Sequence, residues 1–328
     1  MIVDCHTDLL YELAYRAEEE RPFERHWLPN LRAGGVGVQV CPVFVALEDL
    51  PELGLRRALA QVAAFHRAAR ESPDEVAVVR SGDDLQTLDG RIGLILSLEG
   101  VEPLGFDPAI ADVFWELGVR MFALTWNRRN PFADGLGEAS DGGLSELGRE
   151  LVTRLAGLGA MLDLAHASAR TFADVMAVAP DATVLVSHAN ARALVETPRN
   201  IDDDQIRALA QRDGVMGVLA HPFVIASGEP TIDRLVDHID HVAALVGVEH
   251  VGFGGDFMRQ IVRSGAVRSA PGALLPEGVE LEAAVEGLAG PEDYPALVAA
   301  LRTRGYEDDH LHAVLGANWL RVFRRGLP

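Results

Sequence analysis

Alternating polar residues follow the first apolar run of the chain. In the stretch MIVDCHTDLL, the apolar residues Met1 to Val3 lead into Asp4, His6 and Asp8, each separated from the next by one residue. Residues two apart in an extended segment point to the same side, so these three side chains could converge on one spot. Imidazole and carboxylate groups are the ligands of zinc and similar divalent ions. The alternative is a polar strand end with a solvated histidine, and polar residues at other strand ends decide between the two.

Residues of the same types end other apolar runs. Glu99 ends the stretch LSLEG, His166 ends LDLAH, His188 ends VLVSH, and Asp256 lies in GFGGDF. A glutamate and two histidines at the ends of buried strands are difficult to explain as surface residues. Asp163 lies within its strand and could orient a neighbouring ligand or be structural. The pattern predicts a site for divalent ions, in which Glu99 could bridge two of them.

The charged residues restrict both the partner and the chemistry. A net charge of −20 repels a nucleic-acid backbone, so we expect no nucleic-acid partner. All 29 basic residues are arginine, because the chain contains no lysine. This absence excludes Schiff-base chemistry and a carbamylated lysine between two metals, so any bridging side chain must be a carboxylate. Two cysteines, Cys5 and Cys41, are too few for a disulfide framework or a cysteine-based zinc site.

Eight short apolar runs must position these residues. They are near-continuously apolar, as buried parallel strands are, and amphipathic helical stretches lie between them. This alternation predicts an α/β fold, a (β/α)8 TIM barrel in one domain over residues 1–328, closed by C-terminal helices. Active-site residues of such barrels lie at the carboxyl ends of the strands, which is where the polar residues fall. The runs are 1–3, 36–45, 92–98, 120–126, 161–165, 183–187, 215–220 and 250–257, and the helical stretches include 55–70, 144–158, 169–178 and 232–245.

Two segments interrupt the alternation. Residues 128–143 are rich in Gly, Asp and Ser, and residues 259–291 are rich in Gly, Ala and Pro. Long loops in compact domains are usually functional lids or mobile segments. The sequence shows neither a leader-like N-terminus nor an apolar run of membrane-spanning length, so we expect a cytoplasmic protein with no membrane partner.

The motifs together resemble the membrane dipeptidase (renal dipeptidase) family, a branch of the amidohydrolase superfamily. They run through almost the whole chain in the family's order. The matching stretches are DCHTDLL, LRAGGVGVQV, SLEG, LDLAHAS, SHANARAL followed by PRNIDDD, VGFGGDF and VLGANWLRVF. The resemblance implies a metal-dependent hydrolase with two zinc ions per chain and a small dipeptide as substrate. It also implies a possible homodimer.

The resemblance also assigns roles to individual residues. His6 and Asp8 would bind one ion, His166 and His188 the other, with Glu99 bridging both. Arg199, in the stretch PRN, would hold the substrate carboxylate, to which its planar fork is well suited. Asp256 would take the proton from the bridging water and pass it to the leaving amine.

Two departures from the family pattern concern the substrate pocket. After strand four the better-known members have LTH, whose histidine polarises the scissile carbonyl, whereas this chain has Trp126 in LTWNRRN. Trp126 could supply a donor from a new angle, fill a pocket or leave the task to Asn127. We favour a reshaped pocket with polarisation left mostly to zinc. After strand seven a tyrosine is common, and here His221 or Phe223 in LAHPF could take its place. His221 could line the substrate pocket or could be part of the protein core.

The sequence therefore predicts a zinc-dependent dipeptidase acting on L-Xaa–D-Xaa or L-Xaa–L-Xaa dipeptides. Two alternatives remain open at this stage. One is a binuclear metal amidohydrolase for another amide, such as an N-acyl amino acid or a lactam. The other is a catalytically impaired metal-binding homologue. Arg128 and Arg129 could pair with an acidic substrate side chain, or they could be solvated surface residues.

Overall fold

The near-continuous apolar runs form parallel strands. The structure, a computed structural model, describes residues 1–267, 274 and 280–328. Eight strands close into a barrel in the order β2-β1-β9-β8-β7-β6-β5-β4, because β4 also pairs with β2. This confirms the predicted (β/α)8 TIM barrel. The strands are β1 (Ile2–Asp4), β2 (Val36–Phe44), β3 (Val76–Val78), β4 (Ile92–Glu99), β5 (Val119–Ala123), β6 (Met161–Asp163), β7 (Val184–Ala189), β8 (Met216–Val218) and β9 (Val251–Phe253).

Strand β3 is an additional strand that the sequence does not predict. It pairs with the first part of β4, from Val76 against Ile92 to Val78 against Leu94. The end of β4 pairs instead with β5, with Glu99 opposite Ala123. β3 and β5 therefore share one side of β4 at different heights. Unlike the equally short β1, β6, β8 and β9, β3 is only partly buried, with Ala77 and Val78 partly exposed.

The outer layer consists of helices, and the four predicted stretches are confirmed with their ends shifted by two residues or fewer. One helix starts the predicted connection 259–291, of which residues 268–273 and 275–279 lie outside the described residues. No helix in the described ranges is long and apolar enough to cross a membrane. The α-helices are Leu9–Tyr15, Pro22–His26, Leu28–Ala33, Gly54–Glu71, Ile110–Glu116, Glu146–Leu158, Ala169–Val178, Asp203–Gln211, Pro222–Ile225, Ile232–Val246, Arg259–Arg263, Tyr294–Arg304, Asp308–His312 and Asn318–Gly326.

The last helix, Asn318–Gly326, packs against side chains that point into the barrel. Trp319 and Phe323 are fully buried together with Val3, Val38 and other strand residues. The Trp319 indole N–H donates to the Phe253 carbonyl at 3.0 Å. These contacts fill the barrel interior below the strand ends, so the polar residues are collected at the carboxyl end.

Candidate metal and active site

Six of the predicted site residues meet at the carboxyl end of the barrel. They lie at or just after the ends of β1, β4, β6, β7 and β9. Their ligand atoms form three groups, and within each group the atoms lie within 4.8 Å of one another. The groups are His6, Asp8 and Glu99; Glu99, His166 and His188; and His6, His188 and Asp256.

Glu99 lies between the histidines from three different strands. Its Oε2 lies 3.5 Å from His6 Nε2, and its Oε1 lies 3.1 Å from His166 Nε2 and 3.6 Å from His188 Nε2. One carboxylate oxygen therefore faces the first group of ligands and the other faces the second. This is the arrangement that a bridging carboxylate requires.

Asp4 does not join these groups, so its predicted convergence with His6 and Asp8 is wrong. Strand β1 ends at Asp4, and the strict alternation of side chains does not continue beyond it. The Asp4 carboxylate instead accepts the backbone N–H groups of His6 at 3.1 Å and Gly255 at 2.9 Å, and the Thr7 hydroxyl at 2.9 Å. Asp4 thereby fixes the loops after β1 and β9 relative to each other.

The donor atoms of the cluster fit a cation. His6 Nε2 and Asp8 Oδ1 are buried and have no hydrogen-bond partner among the described residues. The Nε2 atoms of His166 and His188 lie 2.9 Å apart. Buried polar atoms are normally paired, and a divalent ion would pair all of these together. The cluster therefore has the chemistry of a metal site of nitrogen and oxygen ligands.

The protonation of the histidines follows from this crowding. Burial lowers the pKa of His166 to about 4, with Arg199 acting in the same direction. Burial also holds the pKa of His188 well below its ordinary value. For His6, burial opposes the positive charge, but Glu99, Asp256 and Asp8 outweigh it and raise the pKa to about 10. His166 and His188 are thus neutral, which is the form that binds metal. Around His6 the carboxylates favour a positive charge, which a bound metal ion could supply.

Two site residues have a left-handed backbone. The φ angle is 62° at His166 and 52° at Asp256. Residues other than glycine rarely take this conformation, which is found at functional sites where surrounding contacts maintain it. At Asp256 the backbone N–H donates to the His6 carbonyl at 2.9 Å. The contact joins the residue that follows β9 to one that follows β1.

Asp256 lies on the open side of the cluster. Its Oδ1 is 3.9 Å from His6 Nε2, and its Oδ2 is 3.9 Å from His188 Nε2 and 3.1 Å from His221 Nε2. Burial acts to raise the pKa of Asp256, but the neighbouring histidines, His221 first, outweigh it and hold the pKa below its ordinary value. The carboxylate is therefore ionised.

Arg199 is a buried cation beside the cluster. Its side chain lines the cavity that opens onto the cluster, and the residue is 5% exposed. Nη2 donates to the His188 carbonyl at 3.0 Å, whereas Nη1 is buried without a hydrogen-bond partner among the described residues. A buried guanidinium with a spare donor is suited to an anionic group that enters the cavity.

An open cavity leads to these residues. It encloses about 900 Å³ with its mouth included, and Trp126, Asn127, His221 and Phe223 are among the residues that line it. The Trp126 ring meets the Phe44 ring edge-on at 5.2 Å between centroids. Most of the other described residues of the wall are also apolar: Tyr11, Ala46, Leu47, Met258, Ile261, Val267, Leu274 and Leu281.

Arg128 and Arg129 are directed toward their own loop. Arg128 donates to the Gly137 carbonyl at 3.1 Å, and Arg129 forms an ion pair with Asp134. Neither arginine is among the described residues that line the cavity. The geometry therefore favours a role in holding the loop over the predicted pairing with an acidic substrate.

Sequence reasoning missed two contributors to the site. Ser187 precedes His188, and its hydroxyl lies 2.7 Å from His188 Nδ1. Its position next to a strand-end histidine was the available signal. Phe44 ends β2 and faces Trp126. It gave no signal, because an apolar residue at a strand end looks the same whether it lines a pocket or a core.

A parallel eight-stranded barrel with a buried histidine and carboxylate cluster at its carboxyl end defines a metal-dependent hydrolase barrel. Residues 1–265 match the model of the membrane dipeptidase family, peptidase family M19. The chain belongs to this family, and as a member it is a metallo-dipeptidase.

Individual relatives agree with this assignment. An uncharacterised dipeptidase of Schizosaccharomyces pombe is 30% identical over 99% of this chain and 80% of its own length. The solved structure of dipeptidase AC, of family M19, has a TM-score of 0.84 at 26% identity and covers 99% of this chain and 98% of its own. A metallopeptidase from Rhodobacter sphaeroides, solved with a phosphinate mimic of the dipeptide L-Ala-D-Ala, has a TM-score of 0.83 at 25% identity, covering 99% of both chains.

Proposed function

We propose that this chain is a zinc-dependent dipeptidase that cleaves small dipeptides with a free C-terminal carboxylate. One observation carries the proposal: the unpartnered Nη1 of Arg199 lies in the same cavity as the metal cluster. The guanidinium is held against the main chain of His188, a member of that cluster. A carboxylate anchor so near the reacting centre favours a scissile bond one residue from the C-terminus.

Two zinc ions would be held by the residues of the first two groups. His6 and Asp8 would bind one ion and His166 and His188 the other, with Glu99 between them, and other divalent ions suit the same donors. When bound, the ions would make a water nucleophilic near neutral pH and polarise the scissile carbonyl.

The chain's own residues would supply the binding and the proton transfers. Arg199 binds the terminal carboxylate and so sets the position of the peptide bond. The ionised Asp256 accepts a proton from the attacking water as the oxygen bonds to the carbonyl carbon. When the C–N bond breaks, Asp256 returns that proton to the leaving amine. Each cycle thus consumes one water and yields two amino acids.

The lining of the cavity indicates the substrate side chains. Phe44, Leu47 and Trp126 form part of a wall that is largely apolar among the described residues. Such a wall favours neutral, apolar side chains over charged ones. A D-residue at the C-terminal position is supported by the Rhodobacter sphaeroides relative, whose ligand mimics L-Ala-D-Ala.

The test uses zinc-reconstituted protein and a dipeptide library with L- and D-residues at the C-terminal position, each peptide free or amidated, together with N-acyl amino acids and lactams. We expect apolar free dipeptides to be the best substrates. Arg199→Gln, which keeps a donor for the His188 carbonyl, should lower kcat/KM for free dipeptides by about 30-fold or more, as loss of one partner of a buried charge pair does. On amidated peptides the two proteins should be nearly equal.

Three outcomes would contradict the proposal. If Arg199→Gln lowers kcat/KM equally for free and amidated peptides, Arg199 does not bind the substrate carboxylate. Cleavage of N-acyl amino acids or lactams without any dipeptide cleavage would establish the amidohydrolase alternative. Two bound zinc ions with no hydrolysis of any of these substrates would identify a catalytically impaired homologue.

A further inference from the structure

The two histidines proposed for the second ion are held by different partners. His188 is contacted by Ser187 of its own strand, whereas His166 is contacted by Asn127 from the loop after β5. We infer that Asn127 is a positioning residue that orients His166 as a metal ligand. This inference rests on the metal centre of the proposed function and gives Asn127 a role beyond contact with substrate.

The geometry at His166 fixes which ring nitrogen is available. Asn127 Oδ1 lies 2.7 Å from His166 Nδ1, and both residues are at least 95% buried. An amide oxygen only accepts hydrogen bonds, so Nδ1 of the neutral ring must carry the proton. The lone pair is then on Nε2, the atom 3.1 Å from Glu99 Oε1. Outer contacts of this kind set the tautomer and the ring orientation of metal-binding histidines.

The loop after β5 also holds the main chain of His166. The His166 carbonyl accepts the Thr125 hydroxyl at 3.2 Å and the Leu136 backbone N–H at 2.9 Å. The Asn127 carbonyl accepts the Gly137 N–H at 2.8 Å, which ties the two ends of the loop together. One loop therefore holds both the side chain and the left-handed backbone of His166.

His188 provides an internal comparison. Its Nδ1 contacts the Ser187 hydroxyl at 2.7 Å, and the Ser187 backbone N–H donates to Asp163 at 2.9 Å. Neither contact involves the loop that carries Asn127. Loss of the Asn127 amide should consequently disturb one ligand of one ion and leave the ion at His6 and Asp8 in place.

The experiment is a zinc titration of the metal-free protein against a chromophoric chelator, with no substrate present. Wild-type protein should bind two zinc ions. Asn127→Leu keeps the number and branching of the side-chain heavy atoms but has no acceptor. It should weaken the binding of one of the two ions about 10- to 100-fold and leave the binding of the other unchanged. Asn127→Asp keeps an acceptor at the same place and should restore tight binding of both. Melting temperatures of the metal-free proteins check that each variant is folded.

The possible results separate this inference from the proposed function. Wild-type protein that binds no zinc would overturn both. Two ions bound with wild-type affinity by Asn127→Leu would overturn only the role of Asn127. The inference also fails if Asn127→Asp does not restore binding, or if both ions are weakened equally. If Asn127→Leu does not fold, Asn127→Ala replaces it, because it also lacks the acceptor.

Discussion

Trp126 is the residue at which this chain departs most from the family pattern. Its ring packs edge-on against Phe44 and lies 6.2 Å from the His166 ring, so it is part of the cavity wall beside the cluster. A large flat side chain at this point narrows the space available to a substrate. We therefore interpret Trp126 as a determinant of cavity shape.

Trp126→Phe removes the indole N–H and keeps an aromatic ring against Phe44. Because the wall is retained, kcat for the best dipeptide should change by less than about tenfold, far less than the 10²–10³ typical of a lost oxyanion donor. Steady-state kinetics with metal content measured in parallel tests this. A hundredfold fall in kcat with both ions present would mean that the indole N–H polarises the carbonyl.

At the scale of elements, the site depends on how neighbouring strand ends are joined. β1 and β9 carry His6 and Asp256 just beyond their ends, and Asp4 holds the two following segments together through backbone N–H groups. The Cys5 N–H also donates to the Phe253 carbonyl at 3.0 Å. A residue that binds neither metal nor substrate thus determines where two active-site residues lie.

Asp4→Ala should destabilise the protein, because it leaves the buried backbone N–H groups of His6 and Gly255 without their acceptor. Each such group costs about 1–3 kcal/mol, so we expect the free energy of unfolding to fall by about 3 kcal/mol or more. Denaturant unfolding of the metal-free protein measures this. Asp4→Asn keeps one acceptor oxygen and should lose much less, whereas equal losses would show that the hydrogen bonds of Asp4 do not matter.

The contrast between Asp4 and Glu99 shows how far sequence could lead. Glu99 was predictable, because a carboxylate at the end of an apolar strand has few structural explanations and the barrel brings strand ends together. Asp4 is also a carboxylate at the end of an apolar strand, but the direction of its side chain depends on where β1 stops and how the chain turns. The Asn127–His166 contact was equally hidden, since it joins two loops 39 residues apart.

At the scale of the whole molecule, the proposed metal ligands connect much of the barrel's circumference. The cluster takes side chains from the ends of β1, β4, β6 and β7, and Asp256 adds β9. The C-terminal helix fills the interior at the other end. Packing therefore holds one end of the barrel, while at the other end carboxylates and histidines meet and need a cation between them.

Removing the metal should lower the melting temperature. Free zinc at 100 times its dissociation constant stabilises the native state by about 2.7 kcal/mol for one site, which for a chain of this size is about 4 °C. Differential scanning calorimetry before and after chelation, with metal analysis of both samples, measures the change. An unchanged melting temperature after complete removal of the metal would show that the ions do not contribute to stability.

The left-handed backbone at His166 and Asp256 places stability and activity in opposition. Glycine accepts that conformation without steric cost, so at both positions it would fit the backbone better than the residue present. Arg21, Asp89 and Asp213 share the left-handed conformation, so the side-chain chemistry of His166 and Asp256 is what sets these two positions apart. Glycine at either position would ease the backbone and at the same time remove a proposed metal ligand or the proposed proton acceptor.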